Sequence, residues 1–323
     1  MKKRWVFTGV TALLAVFFLG CVLAVGKSTQ WFGFQEMAAP SLEEWQYDYQ
    51  TTWDPSASSV DGLTISWSNG PVTVCAGQGS LITITESASR PLEEEERMKI
   101  SESGGALKIQ WDHSPLPLGV FQNLEKRLRV EVPQEIASQL EEFTCGNVWG
   151  TISVDGLSAQ QIQVTSAAGD LNLNGLQGEE ARVSSVSGDI KLAMGTVGTL
   201  MAGTDSGWLQ GYEMQVKECH LSNVTGDLDY RGSGDSVFVD TVSGAVRMEL
   251  SACPREGEFQ SVSGRISLTV PDNDGFEAEC SSMSGHFSSE FPGMGEGGSL
   301  RYGLGGPKLR FATTSGDVAV RRG

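Results

Sequence analysis

Four aspartates that recur at regular intervals are the residues of this sequence best suited to chemistry. Each follows a glycine in a Ser-Gly-Asp-like step: Asp170, Asp189, Asp227 and Asp317. If nineteen residues form one coil of a stacked structure, Asp170 and Asp189 lie on adjacent coils roughly 5 Å apart. Such carboxylates can share a Ca²⁺ ion, or one can be protonated. The alternatives are solvated aspartates at turn edges and a catalytic column, although Arg265, the basic partner, falls four coils from Asp189.

A column of hydroxyl side chains precedes the same glycines and offers a second candidate surface. Such a flat face could bind glycans or wall polymer, with Trp208 as a stacking platform for a sugar ring. It could equally be a sheet face that stays soluble because it lacks sticky residues. The candidate binding residues of this face are Ser187, Ser206, Trp208, Thr225, Ser243 and Ser263.

No other set of residues has the spacing of a known active site or metal centre. The three histidines lack ligand spacing, and Cys219 and His220 would point to opposite faces of a strand. The segment Gly293–Gly298 has the G-x-G-x-x-G spacing of a nucleotide loop, but no helix pattern follows it. We therefore expect no catalytic residues, no cofactor other than Ca²⁺, and a protein that is not an enzyme.

Charge and composition exclude several functional classes. The 323 residues carry a formal net charge of −17 and the pI is about 4.6, so a basic surface for nucleic acid is excluded. Glycine accounts for 40 residues without a G-x-y period, which excludes collagen and favours short strands with many turns.

A repeat of about nineteen residues organises the chain from residue 144 to residue 323. An apolar side chain follows each marker glycine two residues later, and usually another follows four residues later. This alternation is typical of a β-strand, and a fixed period of this length is typical of a solenoid. The sequence thus predicts an all-β, single-stranded parallel β-helix of about nine coils. The marker glycines are Gly150, Gly169, Gly188, Gly207, Gly226, Gly244, Gly264, Gly285 and Gly316.

A second strand is predicted before each marker glycine. Apolar residues seven and five positions before it would face inward, and so would the valines two positions before it: Val148, Val186, Val224, Val242 and Val262. Because these sets differ in parity, we expect the strand to change phase four to three residues before the glycine. The residue three positions before it is always short and polar, and can hydrogen-bond a bent backbone.

The segments before the repeat predict three further parts. Residues 60–143 alternate like strands between turn signals, which predicts a β-rich N-terminal cap. Residues 27–59 are polar, contain scattered tryptophans and lack periodicity, which predicts a juxtamembrane linker. Residues 1–26 combine three basic residues with an uncharged stretch, Trp5–Val25, that is long enough to cross a bilayer as one transmembrane helix.

The basic cluster before this stretch predicts the orientation of the chain. Positive residues stay in the cytoplasm, so everything after Gly26 is expected outside it, in a single-pass cell-membrane protein. A cleaved secretory signal is an alternative. A lipoprotein is another, with Leu19-Gly20-Cys21 as the candidate lipidation site.

Several short motifs resemble the bacterial putative-adhesin family of β-strand-repeat proteins. They are the Ser187–Ile190 and Ser315–Val318 steps, the Leu128–Pro133 segment and the Thr64–Val74 opening, and the resemblance covers residues 60–323. It implies a parallel β-helix-like fold on membrane-anchored or secreted envelope proteins, and it supplies no catalytic set.

Together these features predict a membrane-anchored, extracytoplasmic, non-enzymatic adhesin-like β-solenoid that binds or scaffolds in a bacterial envelope. Its expected partners are the membrane, through the N-terminal helix, and an envelope glycan or protein. Two other classes stay open: a polysaccharide-processing β-helix enzyme and an envelope-stress sensor. A sensor would need a membrane partner, because only three charged residues precede the predicted span.

Overall fold

The computed structural model describes residues 45–55, 60–111, 124–295 and 298–323. The predicted membrane anchor at 1–26 and most of the predicted linker lie outside these ranges. Within them, no helix combines the length and the apolar character needed to cross a membrane.

The described residues form strands joined by turns and loops, with almost no helix, which confirms the predicted all-β class. A single turn of α-helix, α1, spans Gln134–Ala137, and a 3₁₀ turn spans Glu94–Glu96. The strands before α1 are β1 (Tyr47–Trp53), β2 (Gly62–Asn69), β3 (Val72–Gly77), β4 (Ile82–Ala88), β5 (Lys99–Ser103), β6 (Ala106–Trp111) and β7 (Lys126–Pro133). Those from α1 to residue 270 are β8 (Leu140–Trp149), β9 (Ile152–Asp155), β10 (Ala159–Ala168), β11 (Leu171–Asn174), β12 (Gln177–Ser187), β13 (Ile190–Ala193), β14 (Thr196–Ser206), β15 (Leu209–Thr225), β16 (Leu228–Gly232), β17 (Ser236–Ser243), β18 (Val246–Leu250), β19 (Glu256–Ser263) and β20 (Ile266–Val270). The last are β21 (Gly275–Ser282), β22 (Phe287–Ser289), β23 (Ser299–Gly303), β24 (Lys308–Thr313) and β25 (Val318–Arg322).

Strands of successive repeats pair in parallel, one repeat apart. In one sheet Ile162 lies opposite Ala181, and in the other Leu171 lies opposite Ile190. Each coil therefore gives one strand to each sheet, and the long β15 serves a different sheet at each of its ends. The side chains between the two sheets form one continuous hydrophobic core, so each coil is buried by its neighbours.

The predicted inward columns are buried, with one exception. Residues two and four positions after the marker glycine, such as Leu171 and Leu173, are buried as expected. The prediction that the valines two positions before the glycine face inward is wrong. Four of these side chains, Val148, Val224, Val242 and Val262, are 41–50% exposed, and Val186 is half-buried.

The change of phase lies at the marker glycine and not four to three residues before it. The short polar residues three positions before the glycine, which we call the buried polar column, still face inward, as Asn147 and Thr204 show. The next two side chains face outward. At Gly188 the backbone φ of 147° then turns the chain, so that the following strand starts inward again. Only glycine adopts such a conformation without strain, and simple alternation along the sequence does not reveal this reversal.

Close stacking also reserves this position for glycine. A Cβ atom on Gly188 would lie 2.3 Å from the carbonyl oxygen of Gly169, and one on Gly207 would lie 2.2 Å from that of Gly188. Both distances are far inside van der Waals contact. We call this point of each coil the glycine corner, because backbone meets backbone there with no room for a side chain.

Four residues of the buried polar column, Asn147, Ser185, Thr204 and Asn223, donate to a glycine carbonyl that the backbone ladder passes over, whereas the hydroxyls of Ser166, Ser261 and Thr313 have no hydrogen-bond partner among the described residues. Leu171 N–H donates to the carbonyl of the residue after Gly188, which leaves the glycine carbonyl itself for another donor. Thr204 Oγ1 donates to the Gly188 carbonyl at 3.1 Å, and Asn223 Nδ2 donates to that of Gly207 at 3.0 Å. A buried carbonyl without a donor is costly, which explains why this column is short and polar.

Stacking order departs from chain order at both ends. The β2–β3 coil lies between the β6–β7 coil and the β8–β9 coil, so residues 60–143 contribute two coils of the stack. At the other end the β24–β25 coil lies between the β19–β20 coil and the β21–β22 coil. The coil of Gly316 therefore stacks before that of Gly285, the reverse of their order in the chain.

Antiparallel strands close most of the sheet edges. Strand β5 pairs with β6, β23 pairs with β21, and β4 and β1 extend the sheet beyond β7. Strand β1 falls within the segment predicted to be an irregular linker. Its sequence alternates Tyr47, Tyr49 and Trp53 with polar residues, a signal too short to be distinguished from the scattered tryptophans around it.

A buried ion pair fastens the N-terminal part of the fold. The Lys126 ammonium contacts the Glu86 carboxylate, donates to the Glu96 carbonyl at 2.6 Å and lies 3.9 Å from the ring centre of Trp111. Glu86 also accepts the Met98 N–H at 3.1 Å. Burial lowers the pKa of Lys126 to about 8, because removal from water disfavours the ammonium ion. The pair joins β4, β6, β7 and the 3₁₀ turn.

We expect Gly188→Ala to destabilise the protein by more than about 3 kcal/mol, because it combines backbone strain with a backbone clash. Gly79→Ala is the matched control: Gly79 also has a positive φ, but a Cβ there would meet nothing within 4 Å. The control should lose only about 1–2 kcal/mol of strain energy. Denaturant unfolding measures both, and equal losses would refute the close-stacking argument.

We expect Lys126→Met to cost about 3–5 kcal/mol, because it leaves the Glu86 carboxylate buried without its cation. Adding Glu86→Gln removes that charge and keeps an acceptor for the Met98 N–H. The double variant should therefore recover most of the lost stability in thermal or denaturant unfolding. A double variant less stable than Lys126→Met would contradict this description of the pair.

Candidate functional site

The outward side of the glycine corners forms a continuous surface along the stack, which we call the corner face. It carries three columns: the valine column two residues before each marker glycine, the hydroxyl column one residue before it, and the acidic column one residue after it. The predicted site residues all belong to this surface. Asp170 and Asp189 are on adjacent coils, the coil of Trp208 separates Asp189 from Asp227, and Asp317 lies towards the C-terminal end.

The carboxylates of the acidic column hold neighbouring coils together. Asp170 Oδ1 accepts the N–H of Asp189 at 2.9 Å, and Asp189 Oδ1 accepts that of Trp208 at 2.9 Å. Asp227 Oδ1 accepts the N–H of Ala245 at 2.8 Å. The backbone ladder skips this N–H just as it skips the glycine carbonyl. The aspartate therefore completes the hydrogen bonding of the corner from outside, as the buried polar column does from inside.

The acidic column also takes part in exposed ion pairs. Asp227 lies 3.4 Å from Arg247, and Asp317 lies 3.9 Å from Arg265 while accepting the His286 N–H at 3.1 Å. Across the part of the chain that the structure describes, no three His, Cys, Asp or Glu side chains converge as a metal site would require. The shared Ca²⁺ ion stays a prediction that the geometry does not test.

Hydroxyl groups of the hydroxyl column donate hydrogen bonds to backbone carbonyls. Thr225 Oγ1 donates to the Asp205 carbonyl at 3.1 Å, and Ser243 Oγ donates to the Val224 carbonyl at 3.3 Å. Ser263 Oγ repeats the contact one coil further, with the carbonyl of the valine column at 3.4 Å. Because the protons point into the protein, these hydroxyls present lone pairs outward. The column therefore offers hydrogen-bond acceptors to a ligand.

Two exposed tryptophans are among the residues that interrupt the columns of the corner face; Thr151, Ala245, Arg265 and His286 also replace an aspartate, and Ala168 replaces a hydroxyl residue. Trp208 stands in the acidic column and is 55% exposed, and Trp149 stands in the hydroxyl column and is 61% exposed. Trp208 lacks the carboxylate acceptor of the acidic column, and Trp149 lacks the hydroxyl group of the hydroxyl column. Sequence reasoning identified Trp208 but missed Trp149, although its replacement of a hydroxyl residue was a readable signal.

The exposed valines are the other part of this surface that sequence reasoning missed. Val224, Val242 and Val262 are on three successive coils, so they form an apolar ridge beside the hydroxyl column. The alternation of the sequence placed these valines in the core, so they were not recognised as part of the surface. The corner face thus combines apolar area, aromatic rings and hydrogen-bond acceptors.

His220 lies away from this surface, on the outer face of the other strand of its coil. Its Nε2 lies 2.9 Å from Glu218, and its ring stacks on Phe238 with centres 4.7 Å apart. Cys219 is buried on the opposite side, so the two neighbours do not form a joint site, as expected from strand geometry.

The sequence profile of the Toastrack DUF4097 family matches residues 60–257. The chain belongs to this family. The Toastrack match extends from β2 to the start of β19, and it stops before the end of the stack where coil order reverses. Membership confirms the predicted resemblance to putative-adhesin β-strand-repeat proteins. A search of curated proteins finds no match.

Three of the solved structures that match this chain are bacterial proteins. A putative adhesin from Bacteroides fragilis is 10% identical with a TM-score of 0.43, and the alignment covers 86% of this Toastrack chain and 97% of that one. A putative lipid binding protein from Parabacteroides distasonis is 12% identical with a TM-score of 0.45 and coverage of 85% and 97%. A putative cell adhesion protein from Clostridium sporogenes is 9% identical with a TM-score of 0.26 and coverage of 86% and 99%. Likenesses this remote carry no argument about function.

We expect Asp189→Ala to destabilise the protein by about 1 kcal/mol, because the Trp208 N–H loses its acceptor. Asp189→Asn should retain most of the stability, since its Oδ1 can still accept that hydrogen bond. Denaturant unfolding distinguishes the two variants. If both lost the same stability, the carboxylate charge and not the hydrogen bond would be responsible.

A Ca²⁺ titration by calorimetry tests the predicted cation site separately. A shared ion between Asp170 and Asp189 predicts binding heat in the wild type that disappears in Asp189→Ala. Absence of heat in both proteins would remove the Ca²⁺ prediction and leave the acidic column with its structural role alone.

Proposed function

We propose that this Toastrack protein is a membrane-anchored, extracytoplasmic β-solenoid that binds an uncharged glycan of the bacterial envelope through its corner face, without catalysing a reaction. The anchor and orientation come from the basic residues and the uncharged stretch Trp5–Val25. The binding surface comes from the corner face.

The observation that carries the proposal is the position of Trp208. The preceding coil has Asp189 at this place, where it accepts the N–H of the next coil. With tryptophan there, the Asp227 N–H has no acceptor among the described residues, so the substitution weakens the corner and exposes a large ring. Residues that break a local structural pattern without stabilising the fold are found mainly at functional sites.

The chemistry of the face indicates an uncharged ligand rich in donors. Tryptophan rings and the valine ridge offer apolar area to the C–H faces of sugar rings, while the hydroxyl column and the remaining aspartates accept hydrogen bonds from sugar hydroxyls. A net charge of −17 repels anionic polymers and anionic lipid surfaces. A neutral polysaccharide lying along the stack has apolar ring faces and hydroxyl donors, and it carries no negative charge.

We expect restoring the repeat pattern at the two tryptophans to abolish binding without loss of stability. In Trp208→Asp the new carboxylate can accept the Asp227 N–H, and Trp149→Ser restores the hydroxyl column. The full-length double variant in detergent should be at least as stable as the wild type. It should bind an insoluble neutral β-glucan or N-acetylglucosamine polymer about 10–100-fold more weakly in sedimentation assays, since each lost stacking contact contributes about 0.5–1.5 kcal/mol.

Tyr212→Ser is the matched control, because Tyr212 is 53% exposed but lies outside the corner face. It should leave binding unchanged. Acidic polygalacturonate is the ligand control and should not bind. Equal binding by the double variant and the wild type, or failure of the wild type to bind any neutral polymer, would refute the proposal. Release of reducing sugars would favour the enzyme class instead.

A further inference from the structure

The ends of the two sheets differ in how they are protected from pairing with other chains. Among the described residues, β1, β5 and β22 each pair on one side only, and the second side of β23 has a single bridge, between Arg301 and Met294. Strand β22 has three residues, β5 carries Lys99 and Glu102, and β23 carries Arg301 next to the positive-φ Gly303. Short length, charge and irregular backbone are the usual means of blocking an edge.

Strand β1 is longer than these strands, and its one protection is the charge of Asp48. Its seven residues, YDYQTTW, include one charge and neither proline nor glycine, and they are rich in the aromatic and β-branched residues that favour strands. Its inner side pairs with β4 over all seven residues, from Tyr47 opposite Ala88 to Trp53 opposite Ile82. No described strand pairs with its outer side, which presents a regular row of backbone donors and acceptors.

Contacts with the rest of the protein hold β1 in place. The Tyr49 hydroxyl accepts the Leu92 N–H at 2.8 Å, and the Arg97 guanidinium lies 4.2 Å from the centre of the Tyr49 ring. Trp53 packs against the core. An edge ordered in advance loses little conformational entropy when another strand pairs with it.

We propose that two copies of the chain dimerise by antiparallel pairing of their β1 strands. The sequence is self-complementary about Gln50. In that register Tyr47 lies opposite the partner's Trp53, Asp48 lies opposite the partner's Thr52, and Gln50 lies opposite the partner's Gln50. Aromatic cross-strand pairs form at both ends, and the aspartates do not face each other. Such a contact is isologous, so it closes at a dimer and does not propagate into a fibre.

Net charge makes a second prediction for this dimer. Each chain carries −17, so two copies repel each other at long range although the paired strands are nearly neutral. Added salt screens this repulsion. The dimer should therefore become tighter as ionic strength rises, unlike a contact formed by opposite charges.

The test uses the full chain in detergent, with sedimentation equilibrium as the measurement of mass. Gln50 is exposed, so Gln50→Lys and Gln50→Glu should fold normally, which circular dichroism checks. Each variant alone places like charges across the two-fold axis and should weaken the dimer about five- to tenfold. An equimolar mixture of the two places opposite charges there and should restore the dimer. Gln163→Lys, an equally exposed change on β10, should have no effect.

Three results would overturn the proposal. The wild type could be monomeric at every concentration, as expected if another segment of its own chain covers β1. The wild type could form a dimer that Gln50→Lys does not weaken, as expected if the membrane-spanning segment or another surface made the contact. The mixture could fail to recover the dimer, which would exclude the Gln50-centred register.

Discussion

The structure depends on the contact between the glycine of one coil and the glycine carbonyl of the coil before it. At these corners backbone lies so close to backbone that a Cβ atom would fall at about 2 Å from an oxygen. The glycine allows the coils to stack at the ordinary spacing of paired strands at this point, and its positive φ reverses the strand phase. This contact also interrupts the backbone ladder, because one carbonyl and one N–H per coil have no partner in the regular sheet hydrogen bonding. Polar side chains around the glycine supply hydrogen-bond partners for this carbonyl and this N–H.

The two unsatisfied groups explain the most regular polar residues of the repeat. Asn147, Ser185, Thr204 and Asn223 donate to the carbonyl from inside the core, and Asp170, Asp189, Asp227 and Asp317 accept the N–H from outside it. These residues looked like candidates for chemistry because they are regular, but regularity here reflects a backbone requirement that recurs in every coil. Residues that break the pattern, above all Trp208 and Trp149, are therefore better indicators of binding than residues that keep it.

The repeat itself could be predicted from the sequence because its period and its inward apolar columns are local signals. The direction of the valine column could not, since alternation assumes a continuous strand and the positive φ at the glycine breaks that assumption. The stacking order at the two ends was also inaccessible. Coils of similar composition fit one another in several orders, and nothing in the residues around Gly285 or Gly316 records which of them lies next to Gly264. The outward position of the candidate site residues could be predicted from the repeat. The structural role of the aspartates could not, because it depends on hydrogen bonds to the backbone of the next coil.

Aspartates of the acidic column complete the glycine corners, and Trp208 does not take this role. Residue-resolved amide hydrogen exchange measures the difference. We expect protected N–H groups at Asp189, Trp208 and Ala245, each of which donates to an aspartate of the preceding coil. We expect exchange at least about tenfold faster at Asp227, whose N–H faces Trp208. Equal protection of the N–H groups of Asp227, Asp189, Trp208 and Ala245 would show that the aspartates do not complete the corners.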